Sequence, residues 1–349
     1  MLLESNLIEG PYVQDILEQP EALRRSLASF AENDSLRQFA NQVNANQFKT
    51  IVLTGMGSSL FALYPLHLKL LNHGYPSLLI ETAELVYYAE RLLDSKALVV
   101  AVSQSGQSAE VLRLMDLVHD RVPLIGVTNT ADSSLASRAN ARVMIQAGPE
   151  ASVSCKTYIA SLLALEWLGA VLTGEDLIPT KSTLAQAEPA VQQYLQNWRE
   201  HVDELIPRLA GIERIFITGR GPSLSSAQTG GLILKESARF PAEGMSCAAF
   251  RHGPFELLDP QVLVVVLGGG SRTQKINRRL VSDVEQAHGA SALVDTNAPI
   301  KAFRLPEVPD RIRPVLEILP VQMISLALAA RSGREAGRFR LATKVTSID

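Results

Sequence analysis

Leu53-Thr-Gly-Met-Gly-Ser-Ser-Leu60 and Ile217-Thr-Gly-Arg-Gly-Pro-Ser-Leu224 lie 164 residues apart and share Thr, two glycines, Ser and Leu in register. So long a period indicates a duplicated domain, because solenoid repeats recur every few tens of residues. A short apolar run precedes each copy, Thr50–Leu53 and Arg214–Thr218, so each reads as a strand entering a glycine turn and then a helix. Outward from these, apolar runs at Ser77–Ile80, Ala97–Val102, Pro123–Val127, Arg142–Ile145, Gln261–Leu267 and Ser291–Val294 predict further strands. They show no polar alternation, which predicts burial on both faces, and the helical patterns between most of them predict βαβ crossovers. The expected fold class is α/β: two similar three-layer α/β/α domains with mainly parallel sheets. The expected organisation is a helical segment 1–44, a first domain 45–183, a linking helix 184–209, a second domain 210–335 and a tail 336–349. Within the first segment, Pro20 opens a helix carrying Leu23, Leu27 and Phe30 at helical spacing.

Length and composition agree with two domains: 349 residues, 46% hydrophobic and 20% charged. With 33 basic and 36 acidic residues the net charge is −3. That balance provides no general field for nucleic acid or an anionic membrane, so any anion site must be local. The two cysteines, Cys155 and Cys247, form no CxxC, which disfavours both a disulfide scaffold and a thiolate zinc site. Glu4 and Glu9 sit where a signal peptide would carry basic residues. The most apolar stretch, Leu316–Ala330, is short for a membrane span and contains Gln322 and Ser325. The expectation is a soluble cytoplasmic protein.

The segment Ala97–Val102 runs into Ser103-Gln-Ser-Gly-Gln-Ser108, with a helix expected from about Ala109. Backbone N–H groups at such a strand end and helix start form an anion site. Ser103, Gln104, Ser105 and Ser108 add side-chain donors, and Gly106 permits close backbone approach. Gly57, Ser58 and Ser59 in the first turn supply a second wall. Each turn alone reads equally as a set of helix N-caps, but the hydroxyl density of the second exceeds what one cap needs. No GxxxxGK[ST] is present, and Leu60 stands where a dinucleotide fingerprint has its third glycine. Of six histidines, His252 stands out, in the breaker-rich loop Phe250-Arg-His-Gly-Pro254. Glu236 ends the apolar helical run Gly230-Gly-Leu-Ile-Leu-Lys-Glu236 and is either solvent-facing or a proton acceptor aimed at a site. No cluster has metal-ligand spacing, so no metal or other cofactor is expected.

Together these segments resemble the tandem sugar isomerase (SIS) domain family: the isomerase half of glucosamine-6-phosphate synthase and its stand-alone deaminase and deglycase relatives. The likeness spans nearly all of residues 45–349. It implies that Ser59, Ser103, Gln104, Ser105 and Ser108 bind a sugar phosphate and that Ser154 and Lys156 line the same site. It further implies that Glu236 shuttles a proton between C1 and C2. His252 would open the sugar ring, reaching in from the other subunit of a homodimer with composite sites. Four departures stand out. Ile233 replaces the first lysine of the Lys-Leu-Lys-Glu motif, and Pro241 stands where a histidine is often found. The ring-opening or imine-forming lysine of the tail, which reaches the active site, aligns with Thr343; Lys344, one residue out of register, is the only candidate for that catalytic role. The chain also begins at the isomerase-like part, with no glutaminase before it, so a deaminase or isomerase is expected ahead of a synthase. The implied substrate is a hexose 6-phosphate, specifically an amino-sugar 6-phosphate undergoing aldose–ketose isomerisation with deamination. A fructosamine-6-phosphate deglycase and a non-catalytic sugar-phosphate-binding regulator are the alternatives.

Overall fold

The computed structural model describes residues 9–118, 122–341 and 343–344. Of the tail expected from residue 336, residues 342 and 345–349 therefore lie outside the described part. Nine strands are found among the described residues, in two sheets whose pairings are all parallel. The first sheet contains β1 (Thr50–Gly55), β2 (Ser77–Glu81), β3 (Ala97–Val102), β4 (Leu124–Thr128) and β5 (Ala141–Met144), in the order β2-β1-β3-β4-β5. The second contains β6 (Arg214–Gly219), β7 (Ala242–Ser246), β8 (Val262–Leu267) and β9 (Ala290–Val294), in the order β7-β6-β8-β9. The strands of the second sheet start 164 to 166 residues after their counterparts β1 to β4, so the duplication read from two turns extends to the whole sheet.

The five-stranded domain gathers residues 21–149 and 156–185 together with Thr343 and Lys344. Its strand β3 is buried along its full length, as the unbroken apolar run predicts. One helix, Lys156–Leu172, has sixteen of its seventeen residues buried; the exception, Glu166, pairs with Lys69 at 2.9 Å. A helix apolar all round is a core helix, and this one is. Across the sequence gap, Ser26 donates to the Ile145 carbonyl and Arg25 to that of Ala147. These bonds fix the Gln19–Ser29 helix, with Pro20 in its first turn, beside the strand that ends the sheet.

The four-stranded domain gathers residues 9–20, 150–155 and 186–341. Strand β8 is its fully buried centre. The segment Asp310–Arg331 is long and apolar enough to cross a membrane, but 94% of its most apolar window is buried inside the protein. Within it, Gln322 exchanges amide hydrogen bonds with Gln19 (2.9 and 3.0 Å), so this buried amide is satisfied internally. Residues 184–209 form two helices, Ala187–Leu195 and Trp198–Arg208, where one was expected; the break falls at Gln196 and Asn197, a poor helix former.

Strand β7 was not expected. Its sequence, Ala-Glu-Gly-Met-Ser, has no apolar run, because the Ser223–Ala238 helix lies directly on it. A Cβ at Gly244 would come 2.0 Å from the Ala227 carbonyl oxygen, and one at Gly231 2.4 Å from the Gly244 nitrogen. Backbone meets backbone there, leaving no room for the side chains that mark other strands.

Candidate functional site

In the five-stranded sheet the chain leaves β1 for β2 on one side and then returns to β3 on the other. The crevice between β1 and β3, outside their carboxyl ends, is where this strand order accommodates ligands. A cavity of about 150 Å³ opens there. The turn after β3 contributes Ser103, Gln104, Ser105 and Ser108, the turn after β1 contributes Met56 and Ser59, and the tail contributes Lys344.

Local sequence explains the shape of both turns. Gly106 adopts φ +61°, and a Cβ there would lie 2.3 Å from Ser133 Oγ, so no other residue fits without displacement. The turn is braced from within: Gly106 N–H donates to Ser103 Oγ (3.1 Å) and Gln107 N–H to Ser105 Oγ (3.3 Å). The Gln104 carbonyl accepts from Asn129 N–H, Thr128 Oγ1 and Thr130 Oγ1, which ties the turn to the end of β4. The Ser108 carbonyl accepts from Leu112 N–H and starts the Ala109–Val118 helix. That helix's first turn has N–H groups beyond the reach of its own carbonyls, beside the cavity lined by Ser108 and Val111. In the β1 turn, a Cβ at Gly55 would sit 2.9 Å from Leu60 N and 3.1 Å from the Val102 carbonyl, so the two strand ends approach closely only because residue 55 is glycine.

The expected site residues divide into three groups. Ser59, Ser103, Gln104, Ser105, Ser108 and Lys344 meet at one cavity. Gly57 (φ +50°) and the half-buried Ser58 open the short helix Gly57–Ala62 that carries Ser59, and do not line the cavity themselves. Ser154 and Lys156 are not among its lining residues either; Lys156 is buried at the head of the core helix. The third group belongs to the four-stranded domain. Glu236 is half-buried in the last turn of the Ser223–Ala238 helix. Beside it lies the buried phenol of Tyr12, raised well above its usual pKa chiefly by burial and further by the neighbouring Cys155 and Glu236. His252 is exposed and caps the Cys247–Arg251 helix; Gly253, at φ +134°, turns the chain after it. Sequence reasoning missed Met56, Val102 and Val111 as lining residues, since apolar side chains at a strand end carry no local sign of a ligand.

The four-stranded domain has the equivalent turn, Gly268-Gly-Gly-Ser-Arg-Thr273, after β8. Here the chain's own carboxylates take the donors. Glu317 Oε1 accepts from Gly269 N–H (3.1 Å), and Asp310 Oδ2 accepts from Ser271 N–H (3.2 Å) and Oγ (3.4 Å). The buried Asn277 bonds the Leu267 and Gly268 carbonyls and accepts from Arg220 Nε, closing the turn.

The SIS domain matches the sequence twice, over residues 45–170 and 208–330. The glutamine–fructose-6-phosphate aminotransferase [isomerizing] of Pyrococcus horikoshii is 27% identical over 352 residues, which cover 97% of this chain and 57% of that protein. The chain thus spans little more than half the length of that curated relative. Two solved structures share the fold. The C-terminal domain of glucosamine-fructose-6-phosphate aminotransferase from Francisella tularensis superposes with a TM-score of 0.83 at 22% identity, covering 95% of this chain and 98% of that one. Glucosamine-6-phosphate deaminase from Thermotoga maritima superposes with a TM-score of 0.77 at 17% identity, covering 97% and 100%.

Proposed function

The chain belongs to the SIS domain family, and from that premise we propose that it is a phosphosugar isomerase acting on an amino-sugar 6-phosphate with release of ammonia. The observation that carries this reading is the hydroxyl-lined cavity at the β1/β3 switch point, in a chain that contains the SIS domain twice. A phosphate group needs many donors converging from one side. Four of the lining side chains are serines and one is a glutamine amide, set against a helix start.

In this reading the clamp holds the phosphate and fixes the position of the open-chain sugar. His252 protonates the ring oxygen as the ring opens. Glu236 takes the proton from C2 and returns it to C1 through an enolamine. Water then replaces the amine at C2, so one ammonia leaves and a ketose 6-phosphate remains. A carboxylate suits the proton transfer because it can be partly shielded from water on an otherwise apolar helix. The active assembly in this proposal is a homodimer whose sites draw on both chains. Support for the amino-sugar class comes from the names of the Pyrococcus relative and the Thermotoga structure.

Incubation with a panel of 6-phosphorylated amino sugars and fructosamines tests the proposal. Ammonia with fructose 6-phosphate is the expected product pair. A ketose without ammonia would reduce the activity to plain isomerisation, and a free amino acid would make it a deglycase. Tight binding of the panel without turnover would make the protein a sugar-phosphate sensor and overturn the reading.

A further inference from the structure

The clamp residues are neutral, whereas a sugar phosphate carries close to two negative charges at neutral pH. Serine hydroxyls, a glutamine amide and the start of a ten-residue helix provide dipoles, and dipoles alone offset a dianion only in part. Among the described residues lining the cavity, one carries a full charge, and it comes from the far end of the chain: Lys344. Thr343 and Lys344 group with the five-stranded domain, some 240 residues after the turn that follows β3 and some 285 after the one that follows β1.

We infer that Lys344 is the phosphate cation of this site. The inference rests on the phosphate reading of the cavity and assigns the lysine to one end of the substrate. In a six-carbon 6-phosphate, C1 and C2 lie at the opposite end from the phosphorus. An ammonium held at the phosphate cannot at the same time be the amine that condenses with the C2 carbonyl. Lys344 therefore supplies charge and no covalent bond, and the carbon chemistry proceeds by proton transfer without an imine to this residue. The one-residue offset from the family's Val-Thr register accords with this, since a shift of one position changes the direction in which a side chain leaves the backbone. A lysine suits the task as a compact, mobile point charge for phosphate.

The two roles make opposite demands, and two substitutions separate them. Lys344→Arg keeps the charge and cannot form an imine; Lys344→Met keeps the length and loses both. Calorimetric titration with fructose 6-phosphate is expected to show Lys344→Arg within about threefold of wild type and Lys344→Met weakened roughly 10- to 100-fold. Unphosphorylated fructose should respond to neither change. In turnover, Lys344→Met should raise KM by the same factor and lower kcat far less, and Lys344→Arg should stay active. Borohydride added during turnover should leave residue 344 unmodified by mass spectrometry. A reduced sugar adduct on Lys344, or an inactive Lys344→Arg protein that still binds fructose 6-phosphate, would overturn the inference. The Ser105→Ala/Ser108→Ala protein serves as the control. If it binds fructose 6-phosphate normally, the cavity reading itself fails. If it binds weakly while Lys344→Met binds normally, only the role of the lysine fails.

Discussion

The turns after β3 and β8 occupy equivalent places in equivalent sheets, yet their electrostatics are opposite. After β3, serine and glutamine side chains line an open cavity. After β8, two carboxylates of the same domain take the N–H groups of Gly269 and Ser271. The fit is close: a Cβ at Gly270 would lie 2.5 Å from an Asp310 oxygen. If the first turn holds a phosphate, the second shows how such a site is silenced without being dismantled: it is filled with acidic side chains from the same chain. Parallel sheet, glycine turn and helix start supply the geometry in both copies. The residues facing the donors decide whether a ligand is needed.

If phosphate binding belongs to one domain and proton transfer to the other, the sharpest break comes from Glu236. Glu236→Gln keeps the shape and removes the basicity. Turnover is expected to fall roughly 10²–10⁴-fold while affinity for fructose 6-phosphate stays near wild type. Exchange of the C2 proton with deuterated solvent should fall in parallel. Normal exchange in a folded Glu236→Gln protein would move the base elsewhere, with Glu243 the next residue to test.

A smaller effect tests the turns directly. Ser105→Ala with Ser108→Ala should weaken 6-phosphosugar binding by about 1–3 kcal/mol, since phosphate oxygens lose charged-group hydrogen bonds. The mirrored pair after β8, Ser271→Ala with Thr273→Ala, should leave affinity unchanged. Equal losses from the two pairs would mean that both turns bind ligand and that the contrast between them is false. A further experiment asks how many chains a site requires. Separately inactive His252→Ala and Ser103→Ala/Ser105→Ala proteins, mixed, should regain part of the activity; a dead mixture in which heterodimers demonstrably form would assign each site to one chain.

The comparison also shows what could be read from the sequence alone. The central strands were legible because burial on both faces leaves an apolar run, and Ala97–Val102 is β3 to the residue. Strand β7 was not legible locally, because Gly231 and Gly244 let a helix press on it backbone to backbone. The repeat carries the missing signal, since β7 begins 165 residues after β2. The Ser-Gln-Ser-Gly turn announced itself through composition. The plugging of its counterpart did not, because Glu317 lies 48 residues from Gly269 and resembles any acidic residue near a helix. Lys344 was visible as a residue, but its neighbours in space were not, because a tail's path is set by tertiary contacts that no local pattern encodes.

The smallest effect concerns the plug itself. Glu317 is wholly buried, and loss of solvation pushes its pKa up to about 7 from 4.5. The Ser223 hydroxyl, the Arg313 guanidinium and the Gly269 N–H oppose that rise, and the Asp310 carboxylate adds to it. The folded chain therefore keeps a proton on Glu317 between about pH 4.5 and 7, where the unfolded chain has released it. With more protons bound in the folded state, unfolding free energy must fall as pH rises through that window and then level off. For a shift of this size the loss is at most about 3 kcal/mol. Glu317→Gln carries no titrating group and still offers an oxygen to Gly269. Its melting temperature minus that of wild type should climb by several degrees from pH 4.5 to 7 and stay level above pH 8. Curves that run parallel across the whole range would show that Glu317 is ionised in the folded protein well below neutrality. The plug would then stay charged down to the ordinary carboxylate range, and the second turn would be closed to anions throughout the neutral range.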